Sequence, residues 1–295
     1  MTCRNALRRL LWGGMALLAC EQALAGVVIS GTRVIYPADK KEVNVRLNNN
    51  GAQPALVQAW IDSGDAEASP TQSTAPFLLS PPVFRLDPGK GQTLRLMFNG
   101  APLPGDRESV FWLNALEIPP RPKAQENLNV LHMAFRSRIK LFYRPARLPG
   151  SPDKAPEGLA WKLVSLELGK GYALWANNPS AYHVSLVGVA LVDGERRHAS
   201  EDGMVAPRKT HLFPLPELRQ APGADARVEF DAINDYGALR RMSVPLGVAI
   251  DSAPHPNPLP RGEGAEQRGG TVQSPMVRTD APLSLRSGAR SQGPG

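Results

Sequence analysis

The stretch from Asn127 to Pro145 reads NLNVLHMAFRSRIKLFYRP, and its side chains alternate in character with a period of two. Successive side chains of a β-strand point to opposite faces, so the pattern predicts one long strand with an apolar face and a basic face. From Leu131 to Tyr143 the odd positions are apolar apart from Ser137, and the even positions include His132, Arg136, Arg138, Lys140 and, one residue further, Arg144. The run is longer than the about five or six residues of a typical strand. We therefore expect it to extend beyond its own sheet.

Shorter alternating runs, rich in Val, Ile, Thr and aromatic residues and separated by turn residues, fill most of the remaining chain. This is typical of β-sandwiches. Residues 26–145 are predicted to form one all-β domain of about seven strands, and residues 157–250 a second, shorter all-β domain. The segment 146–156, ARLPGSPDKAP, is rich in proline and predicts a linker between them. No convincing amphipathic helix is found.

The two ends of the chain differ from these domains. Residues 1–25 have a basic start, an apolar run and the small-residue sequence Ala23-Leu24-Ala25, which predicts a secretory signal peptide cut after Ala25. An alternative is a lipobox, Leu17 to Cys20, in which the cysteine is acylated and becomes the mature N-terminus. Residues 251–295 contain seven prolines and seven glycines without periodic apolar residues, so we expect a low-complexity, disordered tail.

Cysteine content and charge limit the function further. Cys3 and Cys20 both fall in the predicted leader, so cleavage at Ala25 leaves a mature chain without disulfides. The leader contributes +2 of the formal net charge of +7, which leaves a mild surplus of +5. The basic residues are scattered, and we expect no nucleic-acid partner. No second segment is long and apolar enough for a membrane helix, so the mature chain is expected to be soluble.

Enzyme motifs are incomplete. Asp87 to Thr93 resembles a phosphate loop only in part, because the upstream glycine and the following helix are missing, and a hairpin turn is predicted there instead. No G-x-S-x-G occurs, and the five histidines show no ligand spacing. We therefore expect no catalytic residue, no metal, no cofactor and no small-molecule substrate.

The end of the long run, RIKLFYRP, resembles a signature of the PapD-like periplasmic pilus and fimbrial assembly chaperones. Three further segments fit the same family in the same order, namely GTRVIYP at 31–37, SPPVFRLDPGKGQTLRL at 80–96 and RESVFWLNALEIPP at 107–120. The resemblance covers about Gly26 to Ile250. It implies two immunoglobulin-like β-sandwiches in a boomerang arrangement.

The resemblance implies a site for a carboxylate. Arg33 and Lys140 match the family's two cleft cations, which grip the C-terminal carboxylate of a subunit. From the residues alone, Arg33 shares a predicted strand face with Val27 and Ile29, and an inward charge that protects an edge strand is an alternative. Lys140 could equally be one more solvated charge on the basic face with Arg136 and Arg138. If Lys140 and Phe135 both face the subunit, a bulge or strong twist must separate them.

Two further sets of residues match the family. Leu131, Met133 and Phe135 match the donor strand, whose alternate side chains fill the groove of an incomplete pilin fold. The alternative is that all three face this domain's own core. Glu108, Arg144 and Asp235 match positions that, in the family, form a buried ion network between the two domains. From the sequence alone, Asp235 in N-D-Y-G is simply a turn residue.

The expected function is that of a non-catalytic periplasmic chaperone. It would bind pilin or fimbrial subunits by donor-strand complementation and deliver them to an outer-membrane usher. A two-module immunoglobulin-like surface adhesin, or a lipid-anchored structural protein, is the alternative that the lipobox would favour. The sequence leaves open whether the free protein caps its exposed strand by dimerising.

Overall fold

The computed structural model describes residues 26–120, 133–166 and 171–250. In these residues the chain forms eighteen β-strands and one 3-10 turn, Ala155–Gly158. The strands build two sandwiches, each with its own hydrophobic core. The predicted all-β class with two sandwich domains is therefore confirmed. The predicted signal peptide at 1–25 and the predicted tail at 251–295 lie outside the described residues.

The first sandwich has nine described strands, more than the seven or so predicted, because one predicted strand is divided and short strands were missed. They are β1 (Val27–Ile29), β2 (Arg33–Pro37), β3 (Val43–Asn49), β4 (Ala55–Asp62), β5 (Phe77–Ser80), β6 (Val83–Leu86), β7 (Gly91–Phe98), β8 (Ser109–Ile118) and β9 (Phe135–Arg144). Sheet I has the order β2-β9-β8-β4-β6, and sheet II has the order β1-β3-β7-β5.

The alternation of side chains places the core of this sandwich. Phe111 and Leu113 of β8 and Leu141 of β9 are buried between the sheets, together with Val57 and Ile61 of β4. All five stand at odd positions, so the even residues of these three strands lie on the opposite side of sheet I. We call that side the outer face of sheet I.

The first alternating run was predicted as one strand, and this prediction is wrong. Gly31 has φ of 102°, in the region that favours glycine, and it separates β1 from β2. β1 joins sheet II and β2 joins sheet I. As a result Ile29 is buried in the core, whereas Arg33 lies on the outer face of sheet I beside Lys140.

Strand β9 has two different edges. It pairs with β8 without a register shift from Phe135, opposite Glu117, to Tyr143, opposite Ser109, so no bulge lies in this stretch. Its other neighbour, β2, pairs only with residues 140–144. Among the residues that the structure describes, no strand covers 135–139 on that side. We call residues 135–139 the open edge.

The segment after Leu86 was predicted as a hairpin turn, and it instead crosses between sheets. It connects β6 of sheet I to β7 of sheet II. Gly89 provides the positive φ, 68°, that this tight connection requires.

The second sandwich contains the remaining nine strands. They are β10 (Ala160–Ser165), β11 (Tyr172–Asn178), β12 (Val184–Asp193), β13 (Arg196–Ala199), β14 (Gly203–Val205), β15 (Lys209–Leu215), β16 (Arg227–Ile233), β17 (Leu239–Pro245) and β18 (Gly247–Ile250). One sheet has the order β15-β11-β10-β18, and the other has the order β13-β12-β16-β17 with β14 also beside β12. Trp161 packs against Phe213 and Phe230 in the core between them. No helix in the described part of the chain is long and apolar enough to cross a membrane.

Candidate functional site

Arg33 and Lys140 are neighbours on the outer face of sheet I. They are register partners on the parallel strands β2 and β9. Arg33 Nη1 donates a hydrogen bond to the carbonyl oxygen of Ile233 at 3.0 Å, and Lys140 Nζ donates to Ser185 Oγ at 3.2 Å. Both acceptors belong to the second sandwich. The structure therefore brings the two predicted cations together at the junction of the two domains, and we call them the anchor pair.

The anchor pair carries more positive charge than its surroundings compensate. Burial lowers the pKa of Lys140, and the nearby Arg33 charge lowers it further. Burial also lowers the pKa of Arg33, although the charges of Asp235 and Glu108 oppose this effect. The buried Arg33 Nε has no hydrogen-bond partner among the described residues. Two adjacent, partly desolvated cations with an unused donor make a site that favours an anion.

The open edge presents apolar side chains to solvent. Met133 is 52% exposed and Phe135 is 59% exposed, so neither lies in the core of its own sandwich. Phe135 shares the odd side of β9 with the buried Leu141, but it lies beyond the end of the core. Leu131, the third predicted donor residue, is outside the described residues. Because the strand has no bulge, Phe135 and Lys140 lie on opposite faces of the strand.

The three residues of the predicted interdomain ion network are in contact. Arg144 Nε donates to Glu108 Oε1 at 2.6 Å, while its Nη1 and Nη2 donate to the two carboxylate oxygens of Asp235 at 2.7 and 2.9 Å. Glu108 and Arg144 belong to the first sandwich. Asp235 lies in the turn between β16 and β17 of the second, so it is a turn residue and an ion-pair partner at once.

Glu108 also contacts the second sandwich directly. Its carboxylate is buried and accepts a hydrogen bond from the backbone N–H of His183 at 2.8 Å. Burial has the largest effect on Arg144 and lowers its pKa, but hydrogen bonds with Asp235 and Glu108 and the two carboxylate charges outweigh it and raise the pKa. The guanidinium stays charged, and the two domains meet around it.

Arg136 is exposed and Arg138 is half-buried, and both have side-chain partners, so the basic face is not a row of free charges. Arg138 forms a two-point ion pair with Asp62, whose side chain is 1% exposed, and Arg136 contacts the buried Asn114. From the sequence, the alternation along β4 predicts that Asp62 lies on the same face as Trp60. Only the strand order brings β4 within reach of β9 across β8, and that order is not evident in the sequence.

The fold and site define a class of protein: a pair of β-sandwiches joined by an ion network, with two cations beside a strand that, among the described residues, is paired on one edge only over 135–139. The chain belongs to the PapD family of pilus assembly chaperones. Residues 26–149 match the family model described as "Pili and flagellar-assembly chaperone, PapD N-terminal domain". Residues 154–244 match "Pili assembly chaperone PapD, C-terminal domain".

Curated relatives agree with this family. A probable fimbrial chaperone YadV from Escherichia coli K12 is 46% identical over 220 residues, which cover 74% of this chain and 88% of the relative. The chaperone protein FimB/FhaD from Bordetella pertussis is 44% identical over 232 residues, covering 77% of this chain and 91% of the relative.

Solved structures agree as well. The YadV chaperone crystal structure matches with a TM-score of 0.65 at 42% identity, covering 75% of this chain and all of that one. The SafB chaperone, solved in complex with the Salmonella enterica SafA pilin, matches with a TM-score of 0.62 at 26% identity, covering 76% of this chain and 98% of that one. The predicted boomerang arrangement is consistent with these neighbours.

The ion network generates a prediction about stability. Glu108→Gln removes the charge that Arg144 and the His183 N–H share, and we expect the free energy of unfolding to fall by roughly 2 kcal/mol, the usual range for hydrogen bonds to charged groups. Urea unfolding followed by tryptophan fluorescence measures it. The control is Asp87→Asn, which breaks the exposed pair with Arg85 and should cost less than about 1 kcal/mol. Equal small losses in both variants would contradict this prediction.

Proposed function

We propose that the protein is a periplasmic, non-catalytic chaperone that binds pilin or fimbrial subunits and completes their fold with its own strand β9. The observation that supports this most directly is the open edge, which begins at the exposed Phe135 just after the exposed Met133 and lies next to the anchor pair. A subunit strand added to the open edge gains main-chain hydrogen bonds. Its groove takes up the alternate side chains, and its terminal carboxylate reaches Arg33 and Lys140.

The relatives give this proposal its biological setting. Several are named fimbrial chaperones, and SafB is solved together with a pilin. By the same reasoning, the chain would be exported through its predicted leader and would deliver subunits to an outer-membrane usher. Release by exchange with a better-fitting strand needs no nucleotide. The comparisons favour this function over the surface adhesin.

The anchor pair can be tested by substitution. We expect Arg33→Ala and Lys140→Ala each to abolish co-purification of the chaperone with a fimbrial pilin that the unsubstituted protein binds, because the terminal carboxylate loses a charged partner. The matched controls are Arg46→Ala and Lys90→Ala, which remove exposed cations elsewhere on the first sandwich and should leave co-purification unchanged. Co-expression followed by affinity purification measures the outcome. Full recovery of the pilin with both anchor variants would contradict the proposed anchor.

The donor residues can be tested separately from the anchor. Phe135→Ser should weaken capture of a peptide matching the C-terminal strand of that pilin by about tenfold or more, since a buried Phe contributes roughly 1.5 to 3 kcal/mol. The thermal unfolding temperature should stay nearly unchanged, because Phe135 is 59% exposed in the free protein. Leu78→Ser is the matched control, since Leu78 is 60% exposed on sheet II. The same loss of binding in both variants would argue against a specific donor strand.

The lowered pKa of Lys140 gives a prediction about protons. Burial and the Arg33 charge disfavour the ammonium in the free protein, and a bound carboxylate reverses this and raises the pKa. As the pH approaches the lowered pKa of Lys140, part of the free protein loses its Lys140 proton, and binding of the peptide restores it. The affinity for the peptide should therefore decrease as the pH rises. Calorimetry in two buffers of different ionisation enthalpy, over a series of pH values below the usual lysine pKa of about 10.4, measures this proton uptake.

The control for proton uptake is Lys140→Met, which removes the titrating group. Uptake that persists in this variant would show that another residue titrates. A peptide with an amidated C-terminus is a second control, because it lacks the carboxylate and should bind without taking up protons.

A further inference from the structure

A network of polar side chains lies on the outer face of sheet I, directly behind the open edge. Arg138 donates from Nε and Nη2 to the two carboxylate oxygens of Asp62 at 3.0 and 2.6 Å, and its guanidinium lies 4.5 Å from the centre of the Trp112 ring. Planar contacts of this kind fix a guanidinium in one orientation. Arg138 is therefore held both at its edge and across its face.

Arg136, two residues earlier on the same face, is held in the same way. Its Nε and Nη2 donate to Asn114 Oδ1 at 3.0 and 2.8 Å, and its Nη1 donates to the carbonyl oxygen of Ala66. Its guanidinium lies 4.8 Å from the centre of the Trp60 ring. Two consecutive outward side chains of β9 thus have fixed positions.

Asp62 and Asn114 connect these two arginines. Asn114 Nδ2 donates to Asp62 Oδ2 at 2.7 Å, and the backbone N–H of Gly64 donates to Asp62 Oδ1 at 2.8 Å. Burial is the largest influence on Asp62 and raises its pKa, but the bonds from Arg138, Asn114 and Gly64 together lower the pKa below its usual value. The carboxylate stays ionised and fully hydrogen-bonded. We call Asp62, Asn114, Arg136 and Arg138 the clamp.

The position of the clamp along β9 is informative. From Lys140 to Arg144 the strand lies between β2 and β8, so hydrogen bonds hold it on both edges. Along the open edge, β8 is its only partner among the described strands. Both clamp arginines fall in this half, and they tie β9 through Asn114 of β8 to Asp62 of β4, two strands away. The clamp therefore adds side-chain contacts to a stretch of β9 whose backbone, in the described part of the chain, is paired on one edge.

We propose that Asp62 and Asn114 are positioning residues for the donor strand: through Arg138 and Arg136 they keep the open edge extended before a subunit arrives. This inference rests on the proposed function of β9. A strand that is already extended loses less conformational freedom when a partner strand pairs with it, so it binds faster and more tightly than a flexible one. The arginines act on the outer face, whereas Phe135 on the opposite face remains available to the partner.

The first experiment uses the free full-length chain and needs no partner. Hydrogen exchange followed by mass spectrometry should show that Asp62→Asn speeds exchange of the amides at 135–139 by at least about fivefold, while amides in β7 change less. The matched control is Val45→Ala, a core substitution on β3 of sheet II that lowers the stability of the same sandwich and leaves the clamp residues unchanged. It should not affect the amides at 135–139 selectively.

The second experiment measures capture of the pilin peptide by the same variants. At comparable loss of stability, Asp62→Asn should reduce the association rate by about tenfold and Val45→Ala should not. Arg138→Gln should have the same effect, and the double variant should be no worse than either single variant, because Asp62 acts through Arg138. Rescue by Asp62→Glu, which restores the carboxylate, would support the same conclusion.

The outcomes separate this inference from the proposed function. If the unsubstituted protein does not bind the peptide, the proposed function fails, whereas the exchange measurement on the free chain still reports on the clamp. If exchange at 135–139 is unchanged in Asp62→Asn, or if capture falls no more than in Val45→Ala, the clamp only stabilises the fold and the inference is overturned.

Discussion

The guanidinium of Arg144 lies where the two sandwiches meet, and the geometry of the candidate site depends on its two carboxylate partners. Asp235 belongs to the same hairpin as Ile233, whose carbonyl oxygen accepts the hydrogen bond from Arg33. The hairpin is therefore held at one point by Arg144 and at another by Arg33. Ion pairs of this kind contribute little net stability after desolvation, but they restrict how two surfaces can be oriented. Here they fix the acceptors that face the anchor pair.

Strand β9 combines three environments along one continuous register. Near its end, Leu141 fills the core of the first sandwich, while Arg144 contacts the second. In the middle, Lys140 sits beside Arg33 at the junction of the domains. At its start, the described strands pair with it on one side, and Phe135 is exposed. Successive side chains of a strand point to opposite faces. One extended segment can therefore pack a core, hold cations and present apolar side chains without any change of backbone conformation.

Much of this could be predicted from sequence, and the limits have physical causes. The period of two identified β9 and its two faces, and the resemblance supplied the roles expected of Arg33 and Lys140. The break at Gly31 was missed because a single glycine does not interrupt an alternating pattern. The contact between Asp62 and Arg138 joins residues far apart in the chain across an intervening strand, so it depends on strand order. No bulge lies between Phe135 and Lys140, so their side chains point to opposite faces of β9. Matching a residue to a family position did not reveal this direction.

The unbroken register of β9 has a consequence for how this segment can change. A substitution at any one position alters one contact and leaves the others in place. Inserting or deleting a single residue between Phe135 and Lys140 would instead exchange the two faces of everything before it, turning arginines towards the incoming chain and Phe135 towards the tryptophans. A substitution in this segment therefore has a local effect, whereas a change in its length by one residue alters both faces at once.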